Sequence, residues 1–285
     1  MERRRVARSE GHAPPPMNDP AAHSLPERDE PLLARLAEVA DKLFRPYFRA
    51  DVRGLERIPR GAALFVGNHN AGLLAPEAFL LFGALRHRAL SDVPYALTGD
   101  LLVAVPALER AAAKLGLVRA RPEVALRLLA GDAKVLVYPG GDVESMRPYA
   151  DRDRIVFGGR RGYIRLALRA GVPIVPVVAA GAHSTFIVLS DGRRLLRALG
   201  VGSRLRLTTW PISLCLPWGV AIGPVQVHLP WPTRILEEVL PPIRFERTGE
   251  AAASDAEYVR ACAEQVESTM QLALTRLAHE RAGWK

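Results

Sequence analysis

The apolar positions of the first well-patterned segment recur every three or four residues. Between Pro31 and Phe48, Leu32, Leu36, Val39, Leu43 and Tyr47 fall on one stripe, with Leu33, Ala40, Phe44 and Phe48 beside it and Arg35, Glu38 and Lys42 opposite. That period predicts an amphipathic helix, docked on a core or laid on a membrane surface. The period then changes. DVRGLERIPRGAALFVGN holds a short strand, a turn around Ile58 to Gly61 and a buried strand from Ala62 to Gly67, and Pro76 opens a helix through AFLLFGALRH. LGLV reads as a strand, Pro122 opens a helix that Gly131 closes, and KVLVYP is a buried strand. GYIRLALRAG is again helical, VPIVPVVAAG is an apolar strand, and TRILEEVLPPIRF is a strand with an exit loop. Ser254 and Glu257, at capping-box spacing, start a last helix whose stripe of Tyr258, Cys262, Val266, Met270, Leu274 and Leu277 faces the core. This alternation predicts βαβ units. The expected fold is α/β, a single domain with a central, mainly parallel sheet flanked by helices.

Composition adds limits. The 285 residues are 49% hydrophobic and 24% charged, enough to bury one large core without covalent staples. Residues 1–30 are rich in Pro, Arg and Glu and lack the apolar run of a secretory signal, so a disordered tail is expected ahead of a domain at 31–285. Cys215 and Cys262 lie far apart and fit a reducing compartment, and no His/Cys/Asp spacing implies a metal. The formal charge of +9 suits an anionic partner. A nucleic acid is not expected, because no recognition motif or interleaving of aromatic and basic residues supports one. From 207 to 233 there is no charged residue, but Pro211, Pro217, Pro224, Pro230 and Pro232 break any spanning helix. With Trp210, Trp218 and Trp231, this stretch suits peripheral contact with a membrane surface, or else a proline-rich cap on the sheet.

The chemistry begins at FVGNHNAGLLAPE. A buried strand delivers His69 to its carboxyl end, the edge where open α/β sheets bind ligands. An imidazole there is either a general base or a side chain satisfied by backbone. Glu77 has two readings as well, as an orienting partner for His69 or as a first-turn carboxylate favoured by the helix dipole. On a continuous helix it would lie about 12 Å along the axis from His69, so pairing requires residues 70–75 to loop back. After the KVLVYP strand, Gly140 and Gly141 form either a tight turn or an anion cradle.

Three blocks in fixed order, GNHNAGLLAPE, VYPGGDVESMRP and GRRGYIRLALRAGVPIVPVV, resemble the glycerolipid and lysophospholipid acyltransferase superfamily. The resemblance is to its bacterial branch similar to monoacylglycerol and diacylglycerol acyltransferases, and covers roughly residues 51 to 180. It implies transfer of a fatty acyl group from acyl-CoA or an acyl carrier protein to a lipid hydroxyl. The acyl-CoA would serve as co-substrate and no bound cofactor is implied. The expected location is the cytoplasmic face of a membrane, peripherally attached. The superfamily signature places Asp five residues after its His, where this chain has Leu74; the branch it resembles places its acid after a proline, as Glu77 follows Pro76.

The implied catalytic residues are therefore His69 and Glu77. The implied substrate-binding residues are Asn68, Gly72, Arg119, Arg121, Gly140, Gly141, Glu144, Arg147, Arg160 and Arg161, the arginines suiting phosphate groups where they are not simply solvated surface. Gly140 stands where the wider family has a glutamate, as in the neutral-glycerolipid branch. Two other functions compete, a non-catalytic lipid-binding or lipid-transfer protein and a thioesterase-like hydrolase. Against the hydrolase stands the lack of a Gly-x-Ser-x-Gly elbow.

Overall fold

A computed structural model describes residues 27–70, 74–85, 88, 92–99, 106–193, 209–223 and 228–283. Most of the expected tail at 1–30 lies outside the described residues, as does Gly72. The sheet at the centre has seven strands: β1 (Asp51–Arg53), β2 (Ala63–Gly67), β3 (Tyr95–Thr98), β4 (Leu117–Arg119), β5 (Lys134–Val137), β6 (Ile174–Ala180) and β10 (Leu236–Val239). Their order is β1-β10-β6-β2-β5-β3-β4. Every neighbouring pair is parallel except β10 with β6. The expected mainly parallel α/β sheet is thus present.

Alternation along the strands divides the core in two. Leu64 and Val66 of β2, Val135 of β5 and Ile174 and Val178 of β6 face one side, where helices α6 (Gly162–Ala170) and α8 (Ala256–Ala282) cover them. Phe65, Leu136, Val175, Val177 and Val239 face the other side, against Leu81 of helix α2 (Pro76–Ala84) and Leu85 just beyond it. Strands buried on both faces read as continuous apolar runs, as AALFVG and VPIVPVV do.

The first helix departs from the single amphipathic element expected. It is α-helical over Glu30–Val39 (α1), π-helical over Ala40–Phe44, and α-helical again for one turn. Pro46 accounts for the change: it has no N–H for the carbonyl four residues back, so the hydrogen-bond register slips by one. Ala40 meets α2 at Gly83, where an added Cβ would lie 3.0 Å from the Asp41 amide nitrogen. Asp255, not Ser254, caps α8; its side chain accepts the Tyr258 amide at 3.0 Å, while Ser254 turns to Glu250.

Beyond the main sheet, β7 (Ile187–Ser190), β8 (Ile212–Cys215) and β9 (Gly219–Ile222) make a small antiparallel sheet. Here the proline-broken stretch is partly strand, with a cis bond before Pro217 at the hairpin. Trp218, Val220, Ile222 and Leu229 are exposed, whereas Trp210 and Trp231 are half-buried.

Candidate active site

β2 ends at Gly67, and the next three residues leave the sheet fully tied down. The Asn68 side chain replaces a ladder pair: its Oδ1 accepts the Ala179 amide at 2.8 Å and its Nδ2 donates to the Ala179 carbonyl at 3.0 Å. Asn68 is 1% exposed, so the structure assigns it to the β2–β6 seam and not to a substrate contact. The peptide groups of His69 are held on both sides. Its amide donates to Oε2 of Glu144 at 2.9 Å, and its carbonyl accepts from Nη1 of Arg147 at 2.7 Å.

The imidazole then points at α2. Its Nδ1 lies 3.2 Å from Oε1 of Glu77, and the same oxygen accepts the Asn70 amide at 3.0 Å. The Asn70 amide also lies 3.1 Å from Nδ1. We assign the proton to Nδ1, because a bare lone pair there would face a carboxylate and repel it. That tautomer leaves the lone pair on Nε2, which has no partner among the described residues, and 20% of the side chain remains exposed. The ring stacks on Tyr138, with centroids 4.8 Å apart and planes at 24°. Gly67 permits this, since a Cβ at that position would come within 2.4 Å of the Tyr138 ring.

The question raised by the spacing of His69 and Glu77 has a geometric answer. Ala75 adopts a left-handed conformation (φ 39°), Pro76 takes the first helical position, and Glu77 sits in the first turn of α2, turned back toward the strand end. The carboxylate is 2% exposed. It fills both the first-turn position and the orienting position, so the two readings coincide.

The second block lies beneath. Glu144 is fully buried on the short helix α5 (Gly141–Ser145), and its Oε1 accepts the Val156 amide at 3.0 Å. Burial pushes its carboxyl above the usual range, against the pull of Arg147 and the two amides. Arg147 is 2% exposed, and all five of its N–H groups are used. Nε donates to the Asp151 carbonyl, Nη1 to those of His69 and Glu144, and Nη2 to the Arg152 carbonyl and to Oδ1 of Asn70. With no donor left over, Arg147 is a positioning residue. The expectation that Glu144 and Arg147 meet substrate gives way to a role in holding His69 and Asn70.

The glycine turn has the same character. A Cβ on Gly140 would fall 2.3 Å from that of Glu144, and the Gly141 amide already donates to the Tyr138 carbonyl at 3.1 Å. Gly140 is required by the glutamate packed under the turn, and Gly141 by its positive φ (51°) and the Arg160 guanidinium beside it. Arg160 donates to the Pro139 and Gly140 carbonyls at 3.2 and 2.8 Å and pairs with Asp142, closing the turn from outside. Arg161 precedes the first turn of α6. Arg119, at the carboxyl end of β4, is paired with Glu109 at 2.7 Å, and Arg121 precedes helix α4 (Pro122–Ala130). Both lie on the same sheet edge as His69, three strands away, or roughly 14 Å at ordinary strand spacing.

One residue that the sequence reading did not assign belongs to this site. Asn70, 1% exposed, joins the Asn68 carbonyl, Arg147 and Glu77. Its place in Asn-His-Asn is its one visible signal. His183 donates from Nε2 to the Arg147 carbonyl at 2.8 Å; burial, then the neighbouring Arg147, lowers its pKa to about 3, so it is neutral. Beside Glu77, an apolar cavity of about 370 Å³ runs between α1, α2 and the sheet. Leu33, Phe44, Ala78, Leu81, Val93 and Leu136 are among the residues of its wall. Among the described residues no cluster of His, Cys, Asp and Glu can hold a metal ion.

The model of the Acyltransferase family matches residues 49–180, which contain His69, Glu77, Glu144 and Arg147. Uncharacterized proteins of Mycobacterium tuberculosis and Mycobacterium bovis are 33% identical over 240 residues, and one of Mycobacterium leprae is 30% identical over the same length. The matched region is 82% of this chain but 63% of the first two relatives and 61% of the third, so the chain spans less than two thirds of their length. Among solved structures, the 1-acyl-sn-glycerophosphate (LPA) acyltransferase PlsC of Thermotoga maritima has a similar fold, with a TM-score of 0.53 and 16% identity, covering 86% of this chain and 80% of that one.

Proposed function

From the premise that residues 49–180 belong to the acyltransferase family, we propose that the protein transfers a fatty acyl group from acyl-CoA, or from an acyl carrier protein, to a hydroxyl of a glycerolipid or lysophospholipid. The observation that carries this reading is the His69–Glu77 contact of 3.2 Å, with Nε2 left unpartnered. An acceptor hydroxyl is a weak nucleophile at neutral pH, and Nε2 takes its proton as the oxygen attacks the thioester carbonyl. Glu77 holds the ring in the Nδ1–H tautomer and stabilises the imidazolium. That imidazolium then returns the proton to the departing thiolate, and the acceptor leaves as its ester.

The apolar cavity supports the choice of a long-chain substrate, since its wall includes Ala78, the residue after Glu77, and Leu136, two residues before Tyr138. A lipid-binding protein without catalysis is favoured by that cavity alone. The dyad supports the enzyme over the carrier, because a carrier has no use for a buried carboxylate oriented on an imidazole.

Attachment to a membrane surface is part of the proposal. Leu32, Leu36, Val39 and Leu43 are exposed along the first helix, and Trp218, Val220, Ile222 and Leu229 around the β8–β9 hairpin. The Tyr47 hydroxyl donates to the Pro230 carbonyl at 2.6 Å, which brings the two groups side by side. No helix of the described residues is long and apolar enough to cross a membrane. Incubating purified protein with labelled acyl-CoA and a panel of monoacylglycerol, diacylglycerol and lysophospholipids tests the reading. A labelled ester product that disappears in His69→Ala is expected. Lipid binding without transfer hands the case to the carrier.

A further inference from the structure

The strand β10 reads Leu-Glu-Glu-Val, and its two glutamates meet different surroundings. Glu238 faces the long helix α8 and is paired with Arg57 and Arg276. Glu237 lies on the opposite face, that of Val239 and α2. It is 1% exposed, and neither of its carboxyl oxygens has a hydrogen-bond partner among the described residues. Its neighbours across the sheet are Ala179 on β6 and Val52 on β1, neither of which can bond to it.

The register shows what it does face. Glu237 pairs with Ala179, whose amide and carbonyl are both held by the Asn68 side chain at the end of β2, next to His69. Glu77 descends from α2 onto this face. Its Oε1 serves His69 and Asn70, and its Oε2 is buried without a partner. Among the described residues, three buried carboxyl oxygens on this face therefore lack a donor. Two ionised carboxylates there would repel strongly, whereas a single proton satisfies both. Resting on the dyad proposed above, we infer that Glu237 is a protonated positioning residue whose O–H donates to Oε2 of Glu77, fixing Oε1 on His69 and keeping one negative charge behind the imidazole.

The electrostatics agree with the geometry. Burial, followed by the charge of Glu77, pushes the Glu237 carboxyl well above the usual range. Tyr138 is the other titratable group acting on this face. Burial, then Glu77, Glu237 and Glu144, raises its phenol, so it stays neutral and adds no charge.

The test combines a spectroscopic and a kinetic reading. Infrared difference spectra of the wild-type protein at neutral pH should contain a protonated-carboxyl C=O band that is lost in Glu237→Gln. That variant still donates a hydrogen bond and should keep kcat within about threefold. Glu237→Leu leaves Oε2 of Glu77 unsatisfied and should lower kcat about 10- to 100-fold with little change in KM. Absence of the band, a Glu237→Gln variant as impaired as Glu237→Leu, or a folded Glu237→Leu variant with wild-type kcat would each overturn the inference. If Glu237→Leu does not fold, the infrared band and Glu237→Gln decide. A wild-type protein that transfers no acyl group defeats the proposed function, while the band still decides the protonation.

Discussion

Replacing Glu77 by glutamine removes one charge and almost no volume, which makes it the sharpest probe of the dyad. Glu77 Oε1 lies 3.2 Å from Nδ1 of His69. At an effective dielectric of about 20, a unit charge at that distance stabilises an imidazolium by about 5 kcal/mol. The amide oxygen keeps part of this through its dipole, and the partly exposed ring is screened, so the loss is about 2–4 kcal/mol in the step that forms the imidazolium. Each 1.36 kcal/mol is a factor of ten, so kcat should fall roughly 30- to 1,000-fold with both KM values little changed. A glutamine turned the other way would donate to Nδ1, place the proton on Nε2 and deepen the loss. The assay is steady-state transfer from labelled acyl-CoA across a range of pH, alongside a thermal melt. Unreduced kcat in a folded variant, or a rise in KM alone, would refute the role given to Glu77.

His69→Ala should stay folded, since its ring faces the crevice, and lose about 10²- to 10⁴-fold in kcat; unchanged turnover would end the mechanism. Gly67→Ala places a methyl group against the Tyr138 ring and should cost about 1–3 kcal/mol of stability by denaturant titration, with kcat falling as the His69 stack shifts. Arg160→Ala frees the Pro139 and Gly140 carbonyls and should lower kcat without favouring either substrate's KM; a rise in donor KM alone would assign it to coenzyme A phosphates. Salt or carbonate washing should release the protein from membranes, and Trp218→Ser with Ile222→Ser should weaken its sedimentation with vesicles; retention after carbonate would refute peripheral attachment. Burial opposes ionisation of Glu238, but hydrogen bonds from Arg276 and Arg57 outweigh it and hold its pKa below the usual range. Its contribution is therefore present above the unfolded carboxylate pKa and lost as pH falls through the folded one. Glu238→Gln should flatten the acid side of a stability–pH curve, and an unaltered curve would contradict this.

The elements legible in the sequence are those whose local pattern matches their burial. AALFVG and VPIVPVV are apolar throughout because both faces of the sheet are covered, and His69 is visible as the residue such a strand ends on. What the sequence hid depends on the path of the chain. SDVPYALTGD is short and interrupted, so β3 shows no clear period, and the prolines of 207–233 mask two strands of the small sheet. Leu-Glu-Glu-Val looks like an exposed edge, yet β10 inserts between β6 and β1 and buries both glutamates. No local rule gives that insertion.

The same distinction explains how a site is built when the acid lies eight residues from the histidine. A longer loop costs more entropy to close and aims its carboxylate less firmly. Here the looseness is removed from outside the loop. Glu144 holds the His69 amide, Arg147 holds the His69 carbonyl and the Asn70 side chain, and Pro76 fixes the start of the helix that presents Glu77. VYPGGDVESMRP therefore acts on the first block and not beside it: Gly140 lets Glu144 pack beneath the turn, and Arg147 holds the His69 carbonyl and the Asn70 side chain. With the His69 end held by Glu144 and Arg147 and the other end fixed at the start of α2, the geometry of the dyad does not depend on the loop's own stiffness. A substitution at Glu144 or Arg147 should thus be felt at His69 Nε2 through the backbone they hold.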